Sequence, residues 1–241
     1  MILAFSNRKG RIGKSSLCMA LANYWASNDI PVIVIDVDPQ QSLYNTRERD
    51  LRIFEDKPKY DVLRFDLSNQ LDKLLECIHI LKQSDFNILF DTPSGVDSDV
   101  FMHVVKLSDY VIVPIQYDTF TIDMTGRYSS SLRLLEEMFP MLHRTVIYVP
   151  NKVADIRKYN DNFASKEGHE NDVEFFCGGI KTPGIPLHTC VQKINTLFLT
   201  TEQMACLTPC FESLTNVMQN HNMLNISNQM NNEGHFGDVL N

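Results

Sequence analysis

The sequence predicts an α/β fold: a predominantly parallel, twisted sheet flanked by helices on both faces. Three observations carry this expectation. Five short runs are β-branched and almost wholly apolar, as strands buried on both faces are. The segments between them carry apolar residues at helical spacing. The two kinds of segment alternate, which is the pattern of right-handed crossovers in an open sheet.

The first run is ILAFS (2–6). A helix follows at SSLCMALANYWASN (15–28), with Leu17, Ala20, Leu21 and Tyr24 at helical spacing. PVIVID (31–36) is the second strand. SNQLDKLLECIHILKQ (68–83) is a helix with Leu71, Leu74, Leu75, Ile78 and Leu81 on one face. FNILFD (86–91) and YVIVPI (110–115) are strands, TGRYSSSLRLLEEMF (125–139) is a helix, and TVIYVP (145–150) is the fifth strand. Residues 154–174 are polar and mixed in charge and read as a surface helix and loop, whereas 196–219 read as an amphipathic helix. In 219–232, six of fourteen residues are Asn, a poor helix former, so 221–241 is expected to be a frayed tail on a single domain spanning 1–220.

Composition narrows the function. The chain has 241 residues, 44% hydrophobic and 22% charged, which is ordinary for a globular protein. No apolar run approaches the roughly 18–20 residues that span a bilayer. The opening MILAFSNRKGRIGKSS has no export-signal pattern. A cytoplasmic chain is expected, with its six cysteines reduced. A net charge of −8 and a pI near 5.3 argue against coating nucleic acid by bulk charge.

The most informative stretch is SNRKGRIGKSS (6–16), between the first strand and the first helix. The plain pattern G-x-x-x-x-G-K-[ST] fails at its first glycine, where Arg8 stands. The physical requirements of a phosphate-binding loop (P-loop) remain. Gly10 and Gly13 permit backbone that turns N–H groups inward, and a helix beginning near Lys14 adds its positive end. Lys14 is then placed for the β- and γ-phosphates, and the Ser15 hydroxyl for Mg²⁺.

Lys9-Gly10-x-x-Gly13-Lys14-Ser15-Ser16 resembles the deviant Walker A motif of the ParA/MinD ATPases, in particular the ParA-like partition proteins. The resemblance implies that Lys9 reaches across an ATP-sandwich dimer to the partner's phosphates. It implies that Lys9, Gly10, Arg11, Ile12, Gly13, Lys14, Ser15 and Ser16 bind the nucleotide. Arg11 departs from the family's usual glycine, which restricts the loop's backbone and adds charge near a dimer face.

Asp36-Val37-Asp38-Pro39-Gln40-Gln41-Ser42 looks like the D-x-D-P-Q-x-[NS] motif of ParA proteins. Carboxylates at the end of a sheet strand lie beside such a loop. By resemblance, Asp38 is the hydrolysis residue and Asp36 belongs to the magnesium surroundings. Ile88-Leu89-Phe90-Asp91-Thr92-Pro93 is similar to a Walker B strand, with Asp91 holding Mg²⁺ through water opposite Ser15. Residues 92–99 read as a switch sensing the γ-phosphate. Asn151, after the fifth strand, matches an Asn whose amide reads the adenine edge; the alternative is an Asn that ends a strand. The segment 180–192 falls where the family closes over the base. Thr46-Arg47-Glu48-Arg49-Asp50-Leu51 is similar to a stretch of ParA-like proteins from mobile elements.

ATP, Mg²⁺, an ATP-dependent homodimer and a ParB-like centromere-binding partner are implied, with hydrolysis serving to partition or position plasmid, chromosomal or mobile-element DNA. Two rivals are a small-molecule ATP-dependent ligase on the same fold and a weakly hydrolysing, nucleotide-gated interaction protein. An iron–sulfur relative needs two cluster cysteines after the Walker B strand, and none lies between Cys77 and Cys177. Membrane recruitment needs a basic amphipathic C-terminal helix, and 211–232 contains no Lys or Arg. Nonspecific DNA binding, and with it a nucleoid location, has little support from charge. The basic residues Arg144, Lys152, Arg157 and Lys158 read more readily as a mixed solvated surface. Cys206 and Cys210 read as small helix-face residues, and the seven histidines as structural or surface residues.

Overall fold

All seven strands run parallel, in the order β3-β2-β4-β1-β5-β6-β7. The computed structural model describes residues 1–94, 99–140, 144–154 and 179–234. In chain order the elements are β1 (Ile2–Phe5), α1 (Lys14–Ser27), β2 (Val32–Asp36), α2 (Ser42–Ile53), β3 (Asp61–Arg64), α3 (Leu71–Leu81) and β4 (Asn87–Asp91). They continue with α4 (Asp99–Leu107), β5 (Tyr110–Ile115), α5 (Thr119–Met138), β6 (Thr145–Pro150), β7 (Ile180–Lys181) and α6 (Thr201–Gly234). The five apolar runs form β1, β2, β4, β5 and β6, and the fully buried ones account for the centre of the sheet.

Alternation along the strands divides the core in two. Leu3, Phe5, Val32, Val34, Leu89 and Ile112 face α1 and α6. Ile2, Ala4, Ile33, Ile35, Ile88 and Phe90 face α3 and α4, while Val111, Val113 and Tyr148 meet α5 on that same side. Two buried polar links fasten α6: the Trp25 indole donates to Thr215 Oγ1 at 3.0 Å, and the Tyr110 hydroxyl to the Met218 carbonyl at 3.2 Å.

Several elements differ from the sequence expectation. β3 is a half-exposed edge strand with charged ends, so it lacks an apolar run. β7 has only two residues. α2 buries Leu43, Arg47 and Asp50, a helical spacing written mostly in charged residues. α5 begins six residues before the expected start, where the Asp118 side chain accepts from the Thr121 amide and caps it. α6 runs through Pro209 to Gly234, past the expected end of the domain near residue 220. Residues 95–98 of the expected switch, 155–174 of the expected surface helix, and 235–241 lie outside the described residues.

Phe211 anchors α6. Its side chain is buried, with its ring centroid 5.5 Å from that of Tyr24 on α1. Phe211→Ala should cost about 3–5 kcal/mol in urea unfolding. Ile53→Ala, at a position 62% exposed, should change stability by less than about 0.5 kcal/mol.

Candidate functional site

The loop between β1 and α1 is fixed at its base by Asn7. That buried side chain donates to the Pro114 carbonyl at 2.8 Å and to Thr125 Oγ1 at 3.2 Å, and accepts from the Lys9 amide at 3.1 Å. Left-handed backbone then falls on Arg11 (φ 59) and Gly13 (φ 104). Gly10 does not take positive φ, and a Cβ there would make an ordinary 3.6 Å contact with Ser94 Oγ. Gly13 is required twice over, by its φ and because a Cβ would lie 2.4 Å from Asn151 Nδ2. Arg11 keeps the positive φ that a glycine would adopt without strain.

α1 starts at Lys14 with no side-chain cap on its first amides and no acidic residue in its first turn. Free N–H groups and the positive end of the helix thus face the loop, an arrangement suited to an anion. An open cavity of about 750 Å³ lies over them, lined by Arg11, Gly13, Lys14, Ser15, Ser16, Asp38 and Asn151, among others. A cavity of this size is in the usual range for small-molecule sites. Ile12 is a loop residue whose side chain is buried in the protein.

Lys14 is buried, and its ammonium donates to Ser94 Oγ at 2.7 Å. Desolvation lowers its pKa, against the attraction of Asp91 and Asp38. Asp91 is fully buried in β4, in register with Asp36 of β2. Burial raises its pKa to about 8, and the Ser15 hydroxyl beside it pulls the other way. Neither Asp91 oxygen completes a hydrogen bond. An orphaned buried carboxylate beside a hydroxyl is a donor set suited to a hard divalent cation.

Asp36 is occupied differently. Its Oδ1 accepts from the Asp38 amide at 3.1 Å, and its Oδ2 from the Leu43 and Tyr44 amides at 3.1 and 3.0 Å. It therefore organises the turn into α2 and positions Asp38. Asp38 is half-buried, lines the cavity, and accepts from the Gln40 amide at 2.9 Å.

Asn151 also has a local task. Its Nδ2 donates to the Ile12 carbonyl at 2.9 Å, and its Oδ1 accepts from the Lys152 amide. The amide expected at the adenine edge thus braces the phosphate loop, with one N–H left over. Lys152, itself at φ 56, donates from Nζ to the Arg11 carbonyl at 3.2 Å. Lys152 stays exposed, as the expected basic surface cluster requires; Arg144 is half-buried, and Arg157 and Lys158 lie outside the described residues.

Lys9 is not in the cavity lining. Its ammonium donates to Thr121 Oγ1 and lies 3.6 Å from Asp118 Oδ2 and 5.3 Å from the Phe120 ring centroid. Burial works against the Asp118 carboxylate, yet Thr121 and Lys9 hold its pKa below the ordinary value. Asp118 and Thr121 had no motif to mark them, Ser94 falls within the expected switch 92–99, and Lys152 was read only as part of a basic cluster.

The chain matches the CobQ/CobB/MinD/ParA nucleotide binding domain over residues 3–180 and belongs to that family. No curated protein matches it. Among solved structures it is similar to McdA from Cyanothece, with TM-score 0.70 and 14% identity, covering 90% of this chain and 98% of that one. McdA has also been solved as an ATP complex. MinD from Aquifex aeolicus superposes with TM-score 0.67 and 17% identity, covering 90% and 96% of the two chains, and a MinC:MinD complex is a further match. A plasmid partition protein from Borrelia burgdorferi gives TM-score 0.53 at 17% identity over 78% and 90%. At these identities the likeness is one of fold. Among the described residues, no helix is long and apolar enough to cross a membrane.

The loop geometry predicts opposite effects at two neighbouring positions. Arg11→Gly should stabilise the nucleotide-free protein by about 0.5–1 kcal/mol, by releasing left-handed strain. Gly13→Ala should destabilise it by about 2 kcal/mol, by adding strain and displacing Asn151. Urea unfolding of the two variants beside the parent measures both.

Proposed function

We propose that this chain is a ParA-like ATPase that binds ATP–Mg²⁺, closes as a sandwich dimer, and hydrolyses ATP to ADP and phosphate to position DNA. The observation that best supports this is the division of labour between two lysines. Lys14 lies in its own cavity, whereas Lys9 lies outside it on the start of α5, free of its own phosphate site and available to a second copy. A P-loop enzyme acting on a small molecule has no need of that second lysine.

In this reading the α1 amides and Lys14 hold the β- and γ-phosphates. Ser15 and Asp91 would hold Mg²⁺, with Asp36 nearby in its surroundings; the ion, when bound, neutralises phosphate charge. Asp38 orients the attacking water and takes its proton, kept in place by the amide contacts that run through Asp36. Arg11 adds a cation at the mouth of the cavity. The partner would be a ParB-like centromere-binding protein. With both halves of the chain at net −4 (13 basic and 17 acidic in 1–120, 9 and 13 in 121–241), any direct contact with DNA has to be local rather than through bulk charge.

Two variants test the reading. Lys14→Ala should weaken ATP binding by roughly two orders of magnitude, the worth of one or two hydrogen bonds to a charged group. Asp38→Ala should keep ATP affinity but slow hydrolysis by about a hundredfold or more, because a water-orienting carboxylate acts on the transition state. Calorimetric titration and phosphate release measure these. Unchanged affinity in the first variant or an unchanged rate in the second contradicts the assignment.

A further inference from the structure

Away from the phosphate loop, nitrogen and sulfur donors from two distant stretches of sequence meet. His188, Cys190 and Cys206 bring Nδ1 and two Sγ atoms to within 4.8 Å of one another. His188 Nδ1 is 3.0 Å from Cys190 Sγ, and the two sulfurs are 3.9 Å apart. The Glu202 carboxylate, one turn before Cys206 on α6, lies 3.8 Å from the same Nδ1. The sequence alone read Cys206 and Cys210 as small helix-face residues. Cys210 faces inward, with Thr182 Oγ1 at 3.4 Å from its sulfur.

We propose that His188, Cys190 and Cys206 form a zinc site that ties the loop before residue 191 to the first turns of α6, with the exposed Glu202 carboxylate close enough to turn in as the fourth donor. The chemistry fits the ion: zinc takes Cys, His and carboxylate ligands in a tetrahedron. Zn–S bonds of about 2.3 Å in a tetrahedron place two sulfurs about 3.8 Å apart, which is the spacing seen here. The Cys190 amide meets His188 Nδ1 at 3.4 Å, which makes Nδ1 the unprotonated ring nitrogen, and zinc would take over the lone pair that the amide now meets.

The surroundings are built to hold these donors. Buried Gln203 donates from Nε2 to the Cys190 carbonyl at 3.0 Å and to the Lys193 carbonyl at 3.4 Å, and accepts from the Thr200 amide. This fixes the loop against α6 from behind, as outer contacts of metal sites do. Leu187, Val191 and Gln192, on either side of the cluster, line the cavity above the phosphate loop. The ion would therefore rigidify one wall of that cavity. The site stands on its own donors, and its test needs no nucleotide.

The full-length chain, purified with a thiol-free reductant and stripped of metal, is titrated with Zn²⁺ against a chromophoric chelator, and with Co²⁺ as a spectroscopic probe. One equivalent of zinc should bind, and cobalt should show thiolate charge-transfer and tetrahedral bands. Cys190→Ser, Cys206→Ser and His188→Ala should each weaken zinc binding by at least about a hundredfold. Cys77→Ser, outside the cluster, should leave it unchanged. His188 is exposed, so its variant keeps the fold, and circular dichroism checks this for all four. No stoichiometric zinc, or zinc affinity that survives loss of either cysteine or the histidine, overturns the proposal.

Discussion

A lysine ammonium and two carboxylates lie buried at one end of the sheet, and each would cost several kcal/mol if left without compensation. The chain answers this differently for each group. Asp36 is met by three backbone amides of the turn that follows it. Lys14 is met by Ser94 and by the charges of Asp91 and Asp38. Asp91 alone completes no hydrogen bond, and its pKa stands near 8. An orphaned carboxylate at Asp91 and uncapped amides at the start of α1 suit a divalent cation and an anion side by side, the pair that the proposed ATP–Mg²⁺ would supply.

The loop that carries Lys14 is held by partners from far along the chain. Asn7 anchors its start to β5 and α5, while Asn151 and Lys152 hold the carbonyls of Ile12 and Arg11. These contacts over-determine the backbone, which is how a residue such as Arg11 persists at positive φ. They also couple the loop to the end of β6, so a ligand that shifts one must shift the other.

The sheet was legible in the sequence where strands are buried on both faces, because continuous apolar runs such as VIVID and YVIVPI need no partner to be recognised. β3 was not, since an edge strand with Asp61 and Arg64 at its ends shows no such run. α2 escaped because its buried face is Leu43, Arg47 and Asp50. Arg47 donates to the Tyr60 carbonyl and lies 4.3 Å over the Tyr60 ring, and Asp50 accepts from Thr196, so that face is polar and satisfied by residues remote in sequence. At the site, the motif residues Lys14, Ser15, Asp38 and Asp91 come together at one end of the sheet, but motif spacing could not show that Asn151 donates to the Ile12 carbonyl or that Arg11 takes positive φ. Motif spacing carries the side-chain type but not its hydrogen-bond partner. The His188–Cys190–Cys206 group was missed for the same reason, since sixteen residues separate the two cysteines.

The functional account turns on Lys9. In the single chain it is held by Asp118 and Thr121 at the start of α5, a half-exposed ion pair of small worth. The triphosphates of two facing ATP molecules carry several negative charges, a far stronger attraction for that ammonium. The direct measurement is sedimentation velocity with ATP–Mg²⁺ in the Asp38→Ala background, with and without Lys9→Ala. The account predicts a dimer in the first case and a monomer, still saturated with ATP, in the second. A Lys9→Ala protein that dimerises as well as its parent would contradict it.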